Sequence, residues 1–202
     1  MGKLKIAVLA SGRGSNLQAI MDAIAADKIN GEIVLILSDK ADALALQKGK
    51  DAGITCDVIL PSACGSRDDY DKALTERVAS SGAQLVVLAG FMRLLSPVFL
   101  QRFPNQVVNI HPALLPSFPG LHAQQQALDY GVKVSGCTVH FVDMGVDSGP
   151  IIAQTPVFVD DAKNADELAA KILVEEHKLY PQVIAMIADG RVKVCGRTVI
   201  IK

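Results

Sequence analysis

The first half of the chain alternates apolar, strand-like runs with segments of helical spacing five times, and that alternation limits the fold more than any other feature. Leu4–Ala10 (LKIAVLA) reads as a buried strand. Asn16–Asp27 follows with apolar residues at Leu17, Ile20, Met21 and Ile24, one face of a helix. The same logic predicts strands over Glu32–Ser38, Thr55–Leu60, Gln84–Gly90 and Gln106–His111. Helices are predicted over Ala41–Gly53, Arg67–Ser80 and Ser96–Arg102, the last with Pro97 at its first position. Strands separated by helices cannot pair as hairpins, so each connection crosses over the sheet. The prediction is an α/β fold: a Rossmann-like, doubly wound, mostly parallel sheet with helices on both faces.

The pattern changes after His111. A helix over His122–Tyr130 ends at Gly131. Val134–Val142 and Ile151–Val159 then read as two strands with only DMGVDSGP between them, so the sheet is expected to be mixed at one edge. Asp166–Ala188 reads as a long helix that Pro181 is expected to break or kink. Val192–Ile201, with Gly196 in its middle, reads as a terminal hairpin, and no motif occurs after Arg191. A chain of 202 residues fits one domain, 1–202.

The net charge of −1 gives no bulk attraction to nucleic acid or to a membrane surface. Cys56, Cys64, Cys137 and Cys195 are scattered, with no CxxC pair or zinc spacing, as expected for reduced thiols. The apolar run Ile6–Ala10 is too short for a signal segment, and no run approaches a membrane helix. A cytoplasmic protein is expected. The four histidines show no HExxH or comparable spacing, so no metal is expected, and the absence of GxSxG argues against an α/β-type serine hydrolase.

Four stretches carry chemistry. In VVNIHPALLPSFPG (Val107–Gly120), Asn109 and His111 lie two apart on a strand, so their side chains share a face. Pro112, Pro116 and Pro119 stop the strand there, at the carboxyl end, where open α/β sheets bind ligands. An amide can hold a developing oxyanion, and an imidazole can give or take a proton. Taken alone, the stretch equally fits a strand running into a capped loop with an incidental histidine. SGRGSN (Ser11–Asn16) is a Gly-rich strand-to-helix turn that leaves free N–H groups at Gly14, Ser15 and Asn16 for an anion, most naturally a phosphate. Gly12 and Gly14 with Asp39 imitate a dinucleotide fingerprint, but Leu17 stands where the third glycine belongs, and there is no NTP-binding GxxxxGK[ST]. A ligand-free βα turn also fits.

AGFMRLLSP (Ala89–Pro97) places Phe91, Met92, Leu94 and Leu95 around Arg93, a setting for a flat, mostly apolar ligand, or for the first turn of a core helix. DMGVDSGP is an ordinary turn sequence in composition. Its functional reading brings Asp147 to His111, where a carboxylate favours the imidazolium and raises its pKa. His122 and His140 flank this region, and His177 sits beside Glu175 and Glu176.

Three stretches together, Ala10–Ile20, Val107–Gly120 and Gly136–Gln154, resemble the phosphoribosylglycinamide formyltransferase family, a branch of the folate-dependent formyltransferases. The similarity runs in order from about Lys3 to Arg191. NIHP…LLPSFPG and DSGPI are shared across folate-dependent formyl transfer, while SGRGSNLQ points to the glycinamide ribonucleotide branch. A methionyl-tRNA formyltransferase is expected to differ in that first loop and to carry a further C-terminal domain. A formyltetrahydrofolate hydrolase is expected to carry a further N-terminal one.

The resemblance implies transfer of the formyl group of 10-formyltetrahydrofolate, as co-substrate, to the amine of glycinamide ribonucleotide, without metal or covalent intermediate. It implies a phosphate-binding half, 1–105, and a catalytic and folate-binding half, 106–202. Asn109, His111 and Asp147 match the family's catalytic trio. Gly14, Ser15, Asn16 and Glu176 match its ribonucleotide site. Arg67, Met92, Arg93, Leu94, Leu95, Asn109, Asp143 and Asp147 match its folate site. Small-molecule substrates, no nucleic acid, no membrane, and a monomer or homodimer are expected. The rival readings are a hydrolase that gives the formyl group to water, a non-catalytic folate- or nucleotide-binding module, and an NAD-dependent dehydrogenase, which Leu17 disfavours.

Overall fold

The computed structural model describes residues 2–159 and 162–202. Its strands are β1 (Leu4–Leu9), β2 (Gly31–Ser38), β3 (Cys56–Val58), β4 (Leu85–Leu88), β5 (Val107–His111), β6 (Val134–Phe141), β7 (Ile151–Phe158), β8 (Val192–Cys195) and β9 (Thr198–Ile201). Its helices are α1 (Ser15–Ala25), α2 (Leu44–Asp51), α3 (Arg67–Ser80), α4 (Pro97–Arg102), α5 (Ala123–Tyr130) and α6 (Ala165–Ala188). Seven strands form one sheet in the order β3-β2-β1-β4-β5-β6-β7, and β8 with β9 form a separate hairpin. β1 pairs in parallel with β2 and β4, and β2 in parallel with β3, whereas β6 and β7 are antiparallel. This is the mostly parallel, doubly wound sheet with a mixed edge that the alternation predicts. The chain divides into two compact units, Met1–Val108 and Asn109–Lys202.

In the first unit the central strands are buried on both faces, which explains their continuous apolar runs: Ile6–Ala10, Leu35–Leu37 and Val86–Val87 have no or almost no exposed surface. Strand order reverses between β1 and β4, so the loops leaving their carboxyl ends face a switch-point crevice. Two bonds tie these loops together. Ser11 N–H donates to the Gly90 carbonyl (3.0 Å), and Met92 N–H donates to Ser11 Oγ (2.9 Å). α3 and α4 begin where their cap residues dictate: Ser66 Oγ accepts from Asp69 N–H, and Ser96 Oγ from Phe99 N–H.

In the second unit, β7 is the sheet's outer strand, which is where Pro156 can sit without removing a ladder bond. α6 runs through Pro181 as one helix, so of the expected break or kink the break does not occur. Leu179, Tyr180, Pro181, Val183 and Ile184 are all buried, and their packing outweighs the one backbone donor that proline removes. Two other boundaries differ from expectation. β3 is only three residues, Cys56–Val58, and a 3₁₀ turn occupies Pro61–Ala63 beyond it. α2 starts at Leu44, because Ala43 N–H closes a turn onto the Lys40 carbonyl first. Among the described residues, no helix is long and apolar enough to cross a membrane.

Candidate active site

β5 carries Asn109 and His111 to its carboxyl end, and the β6–β7 loop brings Asp147 against both. His111 Nδ1 lies 3.2 Å from Asp147 Oδ2. Asn109 Nδ2 donates to Asp147 Oδ1 at 3.5 Å and lies 3.4 Å from His140 Nε2. His140 Nδ1 sits 2.8 Å from the Phe141 carbonyl, which can only accept, so Nδ1 carries a proton and the ring is fixed with Nε2 toward Asn109 and Asp147. Asp147 Oδ2 also accepts from Gly120 N–H at 2.8 Å. His111 Nε2 lies 2.8 Å from the Phe118 carbonyl. Both ring nitrogens of His111 therefore face acceptors, and only the imidazolium can donate to both.

The electrostatics at His111 oppose one another. Burial pulls its pKa down, while the Asp147 carboxylate and the Phe118 carbonyl push it up. Burial wins, so the pKa lies below the usual imidazole value. Asp147 raises it as expected, but the net shift is downward: a motif displays the carboxylate but not the 4% exposure of His111. Asp147 shows the converse balance. Burial raises its pKa, but its contacts with His140 and Gly120 and the charge of His111 together hold the carboxyl below its usual value.

A polar clamp holds the start of the proline-rich loop. Thr138 Oγ1 donates to the Ala113 carbonyl (2.6 Å) and accepts from Leu115 N–H (3.0 Å). Gln154 Nε2 donates to the Leu115 carbonyl (2.8 Å) and to Thr138 Oγ1 (2.9 Å). Thr138 and Gln154 face each other in the β6–β7 register. The register shifts between Val139 and His140, a bulge of the kind that re-aims a side chain, and His140 follows it. Asp143 does not join this cluster. Its Oδ1 accepts from Ser148 Oγ (2.6 Å) and Gly145 N–H (3.0 Å), closing the loop on itself.

Glu176 is a buried residue of α6. Burial first, then the charges of Glu176 and Glu175, push the Cys137 thiol up to about 12. His122 is an exposed residue at the N-terminus of α5.

In the first unit, Gly14 is left-handed (φ +66) and precedes α1, whose first turn has no side-chain cap and no acidic residue. The dipole at the start of this helix favours an anion. Lys48 of α2, which no motif singles out, donates to the Gly14 carbonyl at 3.2 Å and adds positive charge to this turn. At the end of β4, Met92 and Leu94 are 64% and 62% exposed, an unpartnered apolar pair. Between them, the Arg93 guanidinium stacks 4.8 Å from the centre of the Tyr70 ring. Leu95 is half-buried, and Arg67, at the start of α3, pairs with Asp71 at 3.7 Å. Among the described residues, no group of three His, Cys, Asp or Glu side chains is arranged to hold a metal ion.

The sequence matches the formyl transferase family over residues 4–184. It is 45% identical to phosphoribosylglycinamide formyltransferase of Escherichia coli (strain K12) over 192 residues, which cover 94% of this chain and 90% of that protein. It is 47% identical to the trifunctional purine biosynthetic protein adenosine-3 of Drosophila melanogaster over 92% of this chain, but this spans only 14% of that longer protein. The crystal structure of glycinamide ribonucleotide transformylase 1 from Symbiobacterium toebii superposes with a TM-score of 0.96 at 49% identity, covering 98% of this chain and 94% of that one.

Proposed function

Because the chain belongs to the formyl transferase family, we propose that it is a phosphoribosylglycinamide formyltransferase of purine biosynthesis, moving a formyl group from 10-formyltetrahydrofolate to the amine of glycinamide ribonucleotide. The observation that carries the chemistry is the convergence of Asn109, His111 and Asp147 at the end of β5. The neutral amine attacks the formyl carbon, and negative charge builds on the formyl oxygen. The bond from carbon to the folate nitrogen then breaks, and the amine's proton ends on that nitrogen. Asn109 offers its NH2 to the charged oxygen. His111 exchanges the Phe118 carbonyl for the same oxygen and donates from Nε2 as it charges. Asp147 holds His111 through Nδ1 and stabilises that charge, and it passes the amine's proton onward through water.

Ligand placement follows the same reading. Gly14, Ser15 and Asn16 take the ribonucleotide phosphate, in keeping with the uncapped start of α1, and Glu176 serves the glycinamide end. Met92, Arg93, Leu94, Leu95 and Arg67 take the folate with Asn109, Asp143 and Asp147. The exposed apolar faces of Met92 and Leu94 suit a flat ring. The halves 1–105 and 106–202 divide the phosphate-binding and catalytic work, and the protein acts in the cytoplasm as a monomer or homodimer.

The test is the absorbance of deformylated folate, measured with and without glycinamide ribonucleotide. Product is expected only when the ribonucleotide is present. Product in its absence would make the protein a hydrolase. No product in either case, with folate still bound, would make it a binding module.

A further inference from the structure

The C-terminal hairpin carries no motif, and the proposed chemistry does not use it, yet its placement is specific. In the β8–β9 register Cys195 faces Thr198, which leaves Gly196–Arg197 as a two-residue turn. Gly196 has φ +62 at the first central position, as a type II′ hairpin turn requires. The open end is tied twice: Lys202 N–H donates to the Arg191 carbonyl (2.9 Å), and Arg191 Nε donates to the Lys202 carbonyl (2.7 Å). β9 packs along β7. The turn thus carries Arg197 to the β6–β7 loop, where Nη1 donates to the Ser148 carbonyl at 2.8 Å.

Ser148 directly follows Asp147. The loop is already wound tightly from within by the Asp143 bonds. A Cβ on Gly149 would strike the Phe141 carbonyl, and one on Gly145 would strike Ser148 Oγ. Asp147 itself is held left-handed, at φ +49. These contacts set the loop's internal shape. Arg197 adds a tie from outside, on the carbonyl of the peptide that follows the carboxylate-bearing residue. An exposed bond of this kind adds little to global stability. Its leverage is local, since small misplacements of a catalytic group cost turnover steeply.

Taking the role of Asp147 in formyl transfer as given, we propose that Arg197 is a positioning residue: from the hairpin tip it holds the Ser148 peptide so that the Asp147 carboxylate stays against His111. The titratable groups facing His111 are Asp147 from this loop and His140 from β6. A loosened Asp147 therefore withdraws the charge that opposes burial there, and the His111 titration moves to lower pH.

The experiment compares Arg197→Met, Arg197→Lys and, as a control on the same hairpin, Lys193→Met. It reads the thermal midpoint, kcat, the KM of each substrate, and the His111 imidazole titration by NMR. Arg197→Met is expected to melt within about 2 °C of the parent. Its kcat is expected to fall roughly tenfold with the ribonucleotide KM unchanged, and its His111 titration to move down. Arg197→Lys keeps a donor and recovers part of the loss, and Lys193→Met behaves as the parent. An unmoved His111 titration in folded Arg197→Met overturns the proposal whether or not the protein transfers formyl groups. An unchanged kcat in an active enzyme also overturns it. A moved titration in a protein that has no transferase activity would instead refute the role given to Asp147 in catalysis and leave the positioning intact.

Discussion

Asp147 is held in a conformation and an environment that a carboxylate does not choose alone. Left-handed backbone at φ +49 costs a residue with a Cβ on the order of 1 kcal/mol, although Asp tolerates it better than most. Half-burial adds a desolvation cost. Four neighbours offset both: Gly120 N–H and His111 at Oδ2, Asn109 and His140 at Oδ1. Asp147→Asn keeps the shape, removes the charge, and turns an NH2 toward a group that was donating. Turnover at neutral pH is expected to fall roughly a hundredfold to ten-thousandfold, with the ribonucleotide KM nearly unchanged and the folate KM rising far less than turnover falls. Steady-state kinetics check this, and normal turnover would remove Asp147 from the catalytic set. Half of this arrangement was legible in the sequence. A two-residue period puts Asn109 and His111 on one face whatever the tertiary structure. The Phe118 carbonyl and Gly120 N–H were not legible, because backbone groups have no sequence signature. The direction of the His111 shift was missed for a related reason: it depends on burial, which many distant residues create together.

At the scale of elements, the turn from β1 to α1 shows why a short motif can be more constrained than its letters suggest. Gly14 is left-handed, and a Cβ there would lie 2.8 Å from Ala45 Cβ and 2.9 Å from Ala45 Cα. α2 is also fixed to this turn by Ala45 N–H donating to the Gly12 carbonyl at 3.1 Å. Gly14→Ala therefore has to shift the turn or α2. It is expected to cost about 1–3 kcal/mol of stability and to raise the ribonucleotide KM about tenfold or more, with a much smaller effect on folate. Melting and steady-state kinetics give both numbers, and an effect on folate alone would contradict the phosphate placement. The sequence revealed this turn's glycines but not their neighbour Ala45, which lies on another element. Elements with local start and stop signals were legible: α3 from its Ser66 cap and acidic first turn, α5 from Gly131 at its end. Elements that depend on tertiary contact were not. Pro181 survives inside α6 because the residues around it are buried, and the tip of the last hairpin acquires a role only through where β9 packs.

At the scale of the whole molecule, acid should act on the two compact units unequally. His111 and Asp147 both lie in 109–202, and both have pKa values lowered by folding. A lowered folded pKa means that the unfolded chain binds the proton first as pH falls, so stability is present above the unfolded pKa and is lost below it. For His111 that loss begins below 6.5 and is complete once pH passes its lowered native value. For Asp147 it begins only below 3.8. In 2–108 the lowered carboxyl is Asp57, bonded to Arg77 at 2.6 Å, which also acts only below 3.8. The Asp57 side chain is 44% exposed, so solvent screening reduces its weight. Of these three groups, only His111 takes up a proton between 6.5 and 3.8, and it does so inside the second unit. Hydrogen exchange, corrected for its intrinsic pH dependence, should show amides of 109–202 losing protection across that interval while those of 2–108 hold. His111→Gln should flatten the loss, because it removes that proton uptake. Loss in both units at the same pH, or an unchanged slope in His111→Gln, would mean that the acid response is set by net charge rather than by one buried imidazole.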